Sequence, residues 1–293
     1  MSGAKSSEGG SAVRLARLLA APGLTVMPCC FDAHSARLIE RSGFPLTFMS
    51  GFAVSAARLG LPDTGLISYG EMIDQGRNIC AAVGIPVIGD GDTGYGNALN
   101  VKRTVAGYAA AGFAAVMIED QVAPKRCGHT RGKRVVERAE AEARIRAAVD
   151  AREEGAEILI LARTDARATL GLDEALDRAR AFEALGADII FVEAPQSIDE
   201  MEAVACATER PNLANMVEEG DTPVLAPQAL EDIGFKIAAY PLTLLLAATR
   251  AMEEALTALK DGRAPDRLAS FAHLRDIAGF DAYFAAERRY AED

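Results

Sequence analysis

A chain of 293 residues, half of them hydrophobic, is long enough to bury one large core or two small ones. Its formal net charge of -11 argues against nucleic acid or an anionic membrane as natural partner, since both are bound through excess lysine and arginine, but leaves room for a small anionic substrate in a local cationic pocket. Five cysteines (Cys29, Cys30, Cys80, Cys127 and Cys206), odd in number and irregular in spacing, point to reduced thiols in the cytoplasm rather than to a disulfide framework or a zinc site.

Met1 to Ser11 is rich in glycine and serine and reads as a frayed start without a signal-peptide segment, and no run of about 18 apolar residues marks a membrane span. Val13 to Ala21 has the spacing of a short amphipathic helix, stopped by Pro22-Gly23. Short apolar runs then recur at Thr25–Phe31, Leu46–Met49, Pro86–Ile88, Ala114–Ile118, Ile158–Leu161, Ile189–Val192, Asn212–Ala214 and Phe235–Ala239. Helical spacing is expected at Ala33–Ser42, Tyr69–Val83, Ala98–Ala111, Glu137–Glu154, Leu172–Leu185, Ile198–Cys206, Pro227–Ile233 and Leu242–Lys260. Runs that are continuously apolar rather than alternating suit a parallel sheet covered by helices, and eight such units in about 240 residues favour a closed (β/α)8 barrel over an open sheet.

A barrel places its chemistry at the C-terminal ends of its strands. The runs here end in Asp32; Ser50-Gly51; Asp90-Gly91-Asp92; Glu119-Asp120; Arg163-Thr164-Asp165; Glu193; Asn215; and Tyr240-Pro241. Helix capping accounts for Asp32 and Asp165. It does not easily account for Asp90, Asp92, Glu119 and Glu193 together, which would repel one another at one mouth unless a cation sat among them. Carboxylates without histidine or cysteine point to Mg²⁺, with Mn²⁺ as the alternative, held directly by Asp90; Asp63, otherwise a turn residue after Pro62, is a further candidate. Arg163 is either a salt-bridge partner or a bidentate anchor for a substrate carboxylate, and a metal that balances the acids favours the anchor. The amides of Ser50-Gly51-Phe52 offer a cradle for a carboxylate, and Glu193 and Asn215 join the candidate substrate-binding residues.

Glu119 to His129 carries a second kind of chemistry. Cys127 follows Lys125 and Arg126 and precedes Gly128 and His129, so its thiol is expected to be acidified into a usable nucleophile or proton donor; the bland alternative is a free cysteine on a solvated basic loop. The charged, glycine-bearing segment Lys125 to Lys133 has the character of a lid. Gly91, Gly94 and Gly96 do not form a nucleotide loop, because Asp92 stands where phosphate would approach and no lysine-serine or lysine-threonine pair comes after it. Cys29 and Cys30 lie in an apolar run and are assigned to the core, His34 and His273 to packing or surface.

Together Ser50-Gly51, Leu61-Pro62-Asp63, Gly89 to Gly96, Ile118 to Gln121, Pro124 to His129, Ala162 to Ala166 and Tyr240-Pro241 resemble, in collinear order, the isocitrate lyase/phosphoenolpyruvate mutase superfamily. The Lys-Arg-Cys-Gly-His element resembles its carbon–carbon lyase branch; phosphonate mutases carry an asparagine-bearing loop instead. Asn215-Met216-Val217-Glu218 and Tyr240 to Leu245 look closer to the 2,3-dimethylmalate lyase and petal death protein group than to methylisocitrate lyases, which typically have Asn-Ile-Thr-Glu after strand seven. The resemblance implies a barrel over residues 1–262 whose eighth helix is exchanged between subunits, a helical intersubunit tail over 263–293, and a homotetramer built as a dimer of dimers.

It also implies a Mg²⁺-dependent cleavage of a 2-hydroxy di- or tricarboxylate into a 2-oxo acid such as pyruvate and a second acid. In that scheme Asp90, with Asp63, Asp92 and Glu119, holds the metal, and Ser50, Gly51, Phe52 and Arg163 fix carboxylates. Cys127 protonates the departing acid, His129 and Gly128 steady its charge, and Lys125 and Arg126 tune the thiol. The related lyases often have tyrosine where this chain has Phe48, which leaves the base unassigned among Tyr95, Glu119 and a metal-bound water. Hydrolysis or decarboxylation of oxaloacetate is the alternative activity; a phosphonate-type mutase and a non-catalytic barrel are further ones. Pocket volume near Phe52, Phe191 and Met216 is expected to select the substrate.

Overall fold

The structure, a computed structural model, describes residues 9–126 and 132–291. All eight expected strands form: β1 Thr25–Cys30, β2 Thr47–Met49, β3 Val87–Asp90, β4 Ala115–Glu119, β5 Leu159–Thr164, β6 Ile189–Val192, β7 Leu213–Asn215 and β8 Ile237–Tyr240. They are parallel and run in the order β6-β5-β4-β3-β2-β1-β8-β7. A single parallel bridge from Ile190 to Asn212, in which Ile190 N donates to Pro211 O over 3.0 Å, joins β6 to β7 and closes the ring.

The continuous apolar runs are explained by two cores, one on each side of the sheet. Cys29, Met117, Leu161, Phe191 and Ile237 point into the barrel, whereas Cys30, Val116, Ile118, Ile160 and Val192 point outwards under the helices. Burial on both faces is the condition under which a strand needs no polar alternation. Helix Ser11–Ala20 contributes Leu15 to the inner core, where it is fully buried with Leu18 and Leu19 beside it. That apolar plug leaves the opposite end, the C-terminal ends of the strands, for a cavity.

Helix bounds agree with the spacing to within two residues, the first helix starting at Ser11 rather than Val13, and Ala98–Ala111 and Pro227–Ile233 coincide with it. Asp32 does cap helix Ala33–Arg41, accepting from Ser35 N at 2.6 Å. Two features depart from expectation. A helix Gly51–Val54 running into a π-helical turn Ser55–Leu59 comes after β2, too short to show a period. Strand β5 continues through Arg163 and Thr164, so these residues belong to the ladder rather than to the loop after it. Register then pairs Glu119 with Arg163 on neighbouring strands.

Helix Thr243–Lys260 has only Ala258 buried and exposes Leu246, Met252, Leu256 and Leu259. Helices Phe271–Ala278 and Phe280–Glu287 come after it. The first is tied back to the barrel by Arg37 Nη1, which donates to Ile277 O and Ala278 O at 2.9 Å, and by an Arg41–Asp276 ion pair. No helix among the described residues is long and apolar enough to cross a membrane. Four cysteines are described, all unbridged: Cys29 and Cys30 buried, Cys80 partly so and Cys206 exposed.

Candidate active site

A cavity of about 350 Å³ opens at the C-terminal ends of the strands. Of the residues singled out from sequence, Ser50, Phe52, Asp63, Asp90, Lys125, Arg126, Arg163, Glu193 and Asn215 line it. Gly51, Asp92 and Glu119 stand just behind. Cys127, Gly128 and His129 lie outside the described residues.

Asp90 is placed by its strand and by two amides. Its Oδ2 accepts from Gly51 N at 3.1 Å and its Oδ1 from Asp92 N at 3.0 Å. The approach of Gly51 is so close that a Cβ there would lie 2.4 Å from Asp90 Oδ2, which explains the glycine. The Gly51 amide, read from sequence as part of a substrate cradle, therefore serves a protein carboxylate. Gly91 answers a similar demand: a Cβ would meet Met117 O at 2.6 Å, so the glycines of this loop fit it against β4 rather than around a phosphate. Beneath, Tyr108 Oη donates to Asp90 O at 2.6 Å.

Lys125 stands among these acids. Its Nζ lies 2.7 Å from Asp63 Oδ1 and 2.8 Å from Asp92 Oδ1, with all three side chains buried. Burial alone would lower the pKa of the ammonium, but Asp92, Asp90, Asp63 and Glu119 around it hold it well above the ordinary lysine range. Lys125 thus neutralises carboxylates of the mouth. Burial, opposed by Lys125 and reinforced by Asp90 and Asp63, raises the pKa of Asp92 from 3.8 to about 7. Because the folded form holds that proton more tightly, this group's share of stability is complete below about pH 4 and fades as pH rises towards 7.

Three buried carboxylate oxygens, Asp63 Oδ1, Asp92 Oδ1 and Glu119 Oε1, have no hydrogen-bond partner of good geometry. Two of them, Asp63 Oδ1 and Asp92 Oδ1, are ion-paired with Lys125 Nζ at 2.7 and 2.8 Å; hard carboxylate oxygens gathered in this way are the donor chemistry of Mg²⁺ or Mn²⁺, so the residues fit such an ion. In the arrangement seen, Lys125 takes up that charge, and no cluster of three or more Asp, Glu, His or Cys able to hold a metal forms among the described residues.

Arg163 is the centre of a second buried network. Its Nε and Nη2 grip Asp165 at 2.9 and 3.1 Å, Nη2 reaches Glu193 at 3.1 Å, and Nε lies 3.4 Å from Glu119. Asn215 Nδ2 completes the row with contacts of 3.3 and 3.2 Å to Glu193. Arg163 is thus salt-bridged, as one of its two sequence readings had it, and it also lines the cavity with Nη1 outside these contacts. Asp165 is not the cap expected from sequence, since the short helix Arg167–Leu170 has Ala166 at its N-cap. It is instead fully buried between Arg163 and Lys133, whose Nζ is 3.0 Å away. Asp120 accepts from Thr164 Oγ1 at 2.6 Å, Asp165 N at 2.9 Å and Arg178 Nη1 at 3.0 Å, fixing the end of β5 from below. Asp120 stood at a strand end in the sequence without a partner, whereas Lys133 and Arg178 gave no sign of this network, because charged residues in a loop or on a helix read as solvated faces.

The segment that bears Cys127 is gripped at its stem. Gln121 clasps the Arg126 main chain, Oε1 accepting from its N and Nε2 donating to its O, both at 2.9 Å. Gln121 and Val135 form an antiparallel bridge, and Val136 N donates to Asp120 O at 2.9 Å. Lys125 and Lys133, one on each side of residues 127–131, are each bound to a buried aspartate of the mouth.

The cavity wall also includes Cys29, Phe48, Met117, Phe191 and Leu213, and a stretch not expected from sequence, Val217 to Gly220. Met216 lies in the outer core instead, away from the cavity. Burial, and after it the influence of Cys30, holds the Cys29 thiol well above its ordinary pKa. Neither protein side chain considered as base lines the cavity: Glu119 stands behind it, and the buried Tyr95 hydroxyl is raised well above its usual pKa by burial and by Tyr108. Phe48 lines it without a hydroxyl.

Known proteins share this arrangement of strands and sequence. The family model described as phosphoenolpyruvate phosphomutase matches residues 15–260. A 2,3-dimethylmalate lyase from Eubacterium barkeri is 42% identical over 285 residues, 96% of this chain and 98% of its own. A chloroplastic carboxyvinyl-carboxyphosphonate phosphorylmutase from Arabidopsis thaliana is also 42% identical, over 95% of this chain and 84% of its own. A solved structure of oxaloacetate acetylhydrolase in complex with the inhibitor 3,3-difluorooxalacetate superposes with a TM-score of 0.93 at 34% identity, covering 97% of this chain and 98% of that one.

Proposed function

This chain belongs to the phosphoenolpyruvate phosphomutase family, and on that footing we propose that it is a carbon–carbon lyase cleaving a 2-hydroxydicarboxylate of the 2,3-dimethylmalate or 2-methylisocitrate type. The observation that carries this reading is one cavity joining a carboxylate pole, Asp63 and Asp90 with Asp92 and Glu119 behind, to Arg163 and to the anchored stem of the Cys127 segment. Mg²⁺ or Mn²⁺, held when bound by Asp90 with Asp63, Asp92 and Glu119, supplies Lewis-acid polarisation of the substrate's hydroxyl and carboxylate.

The chain's own groups do the rest. Arg163, locked by Asp165 and Glu193, presents Nη1 to a substrate carboxylate, and Ser50, Phe52 and Asn215 border the same space. When the C2–C3 bond breaks, the C2 hydroxyl gives its proton to water and its oxygen becomes the 2-oxo group. The C2–C3 electrons are left on the departing acid, and Cys127 Sγ delivers the proton that quenches them, regaining one from solvent afterwards. In this reading His129 and Gly128 steady the charge left on that acid, and Arg126 tunes the thiol. The structural likeness to oxaloacetate acetylhydrolase favours a second reading, hydrolysis of oxaloacetate on the same scaffold.

A substrate panel decides. Incubation with Mg²⁺ is expected to release pyruvate from 2,3-dimethylmalate or 2-methylisocitrate, with EDTA abolishing and Mg²⁺ restoring turnover. Consumption of oxaloacetate alone would transfer the assignment to the second reading, and full activity in chelator would remove the metal.

The proposed cytoplasmic enzyme works as a homotetramer, a dimer of dimers, with helix Thr243–Lys260 and the tail beyond residue 262 at the subunit contacts. Its exposed Leu246, Met252, Leu256 and Leu259 support this, as does an apolar groove beside β1 lined by Val26, Pro28, Leu38 and Phe44. Light scattering in solution should give four times the chain mass; a monomer would refute it.

A further inference from the structure

Among the described residues three cations line the cavity, Lys125, Arg126 and Arg163, against five carboxylates, Asp63, Asp90, Glu193, Glu218 and Glu219. Two of the cations are already engaged. Lys125 lies between Asp63 and Asp92, and Arg163 is shared by Asp165, Glu193 and Glu119. Arg126 differs: among the described residues its guanidinium has no ion pair and no hydrogen bond, and the residue is exposed. A dianion approaching a chain of net charge -11 thus meets, in the cavity wall, one cation that no protein carboxylate neutralises.

The stem of that side chain is fixed while its tip stays free. Buried Gln121 holds the Arg126 main chain from both sides, Oε1 accepting from N and Nε2 donating to O at 2.9 Å. Gln121 is itself held by its bridge to Val135. The guanidinium reaches back to Gly132, where a Cβ would stand 3.7 Å from Nε and 3.8 Å from Cζ. Gly132 has a φ of 81°, so the turn takes glycine and sets no side chain against Arg126. A fixed main chain lowers the ordering cost that an exposed arginine meets when it grips a ligand. An exposed arginine is ordinarily a solvated loop charge; the anchored main chain and the place in the cavity wall argue for a ligand instead.

We propose that Arg126 is a substrate-binding residue: Arg163 on β5 takes one carboxylate of the dianion, and Arg126 takes the other. This rests on the lyase reading for the dicarboxylate and adds a second anchor to it. A guanidinium offers parallel N–H donors to a carboxylate, so the contact fixes direction as well as charge. The role is separable from tuning the thiol. Loss of a contact made equally in the ground state and the transition state raises KM and leaves kcat alone, whereas a change in thiol acidity moves kcat and its pH dependence.

The test uses succinate, the carbon skeleton of malate without the hydroxyl that the cleavage needs, so that it binds without turning over. In calorimetric titrations with Mg²⁺ present, Arg126→Gln should weaken succinate binding by about 10-fold, the scale of one charge-assisted contact, while Mg²⁺ binds as it does to the unaltered protein. Arg126→Lys keeps the charge and should bind succinate within about threefold of the unaltered protein. Arg126 is exposed, so both variants should fold. Succinate affinity unmoved in the glutamine variant, a lysine variant as weak as the glutamine one, or no binding to the unaltered protein would overturn the proposal. With 2,3-dimethylmalate, Arg126→Gln should raise KM by about 10-fold at nearly constant kcat. A shifted pH profile of kcat with KM unmoved would overturn it too, returning Arg126 to the thiol alone. If no acid is cleaved the lyase reading falls, yet succinate binding still decides for or against Arg126.

Discussion

Serine in place of Cys127 is expected to lower kcat by roughly 1,000-fold, the scale on which a positioned general acid acts, while metal and substrate still bind. A serine hydroxyl is a far weaker acid than a thiol, so the carbon left by C–C cleavage would wait for its proton. The stem of the loop is held by Gln121, Lys125 and Lys133, none of which depends on the residue at 127. The variant should therefore keep its melting temperature and its Mg²⁺ affinity. Single-turnover kinetics with 2,3-dimethylmalate would show it, and turnover within threefold of the unaltered enzyme would dismiss Cys127 as the acid.

The second large effect concerns Lys125, and it is one of stability. Lys125→Met removes the cation lying between Asp63 and Asp92 and leaves buried like charges facing one another, a loss of about 3–5 kcal/mol for a broken buried pair. For a chain of this size that corresponds to a fall in Tm on the order of 10 °C. Mg²⁺ is expected to recover most of the loss, because the ion restores the charge that the ammonium supplied. Thermal melts with and without Mg²⁺ measure both. A metal-free variant that melts with the parent would mean that the acids are balanced by protonation instead, as the upward shifts that burial gives Asp92 and Glu119 allow.

Much of this was legible in the sequence, for identifiable reasons. The barrel announced itself because strands with a core on either side must be apolar throughout, and eight such runs were separated by helices with clear spacing. Asp90, Glu119 and Arg163 were legible because a run that stops at a charged residue marks a strand end. Their partners were not. Lys125 reads as a neighbour of Cys127 along the chain, yet it reaches back to acids after β2 and β3, a contact that only closure of the mouth creates. Asp165 had the pattern of a cap, and only the extension of β5 through Thr164 turns it into the counter-ion of Arg163. Glu218 and Glu219 look like a solvated acidic turn until the fold brings them into the cavity wall.

The seam between β6 and β7 is the thinnest join in the ring, one backbone bridge where other neighbours share a ladder. At the mouth the same seam is crossed by side chains, Asn215 reaching Glu193, which in turn holds Arg163. The groups proposed to grasp substrate are thus also the stitches of the barrel's weakest suture. Occupancy of the cavity should tighten it, and amide exchange at Ile190 should slow when a dicarboxylate is bound, by more than at the well-laddered Val116. An enzyme joined in this way spends part of its ligand's affinity on completing its own wall.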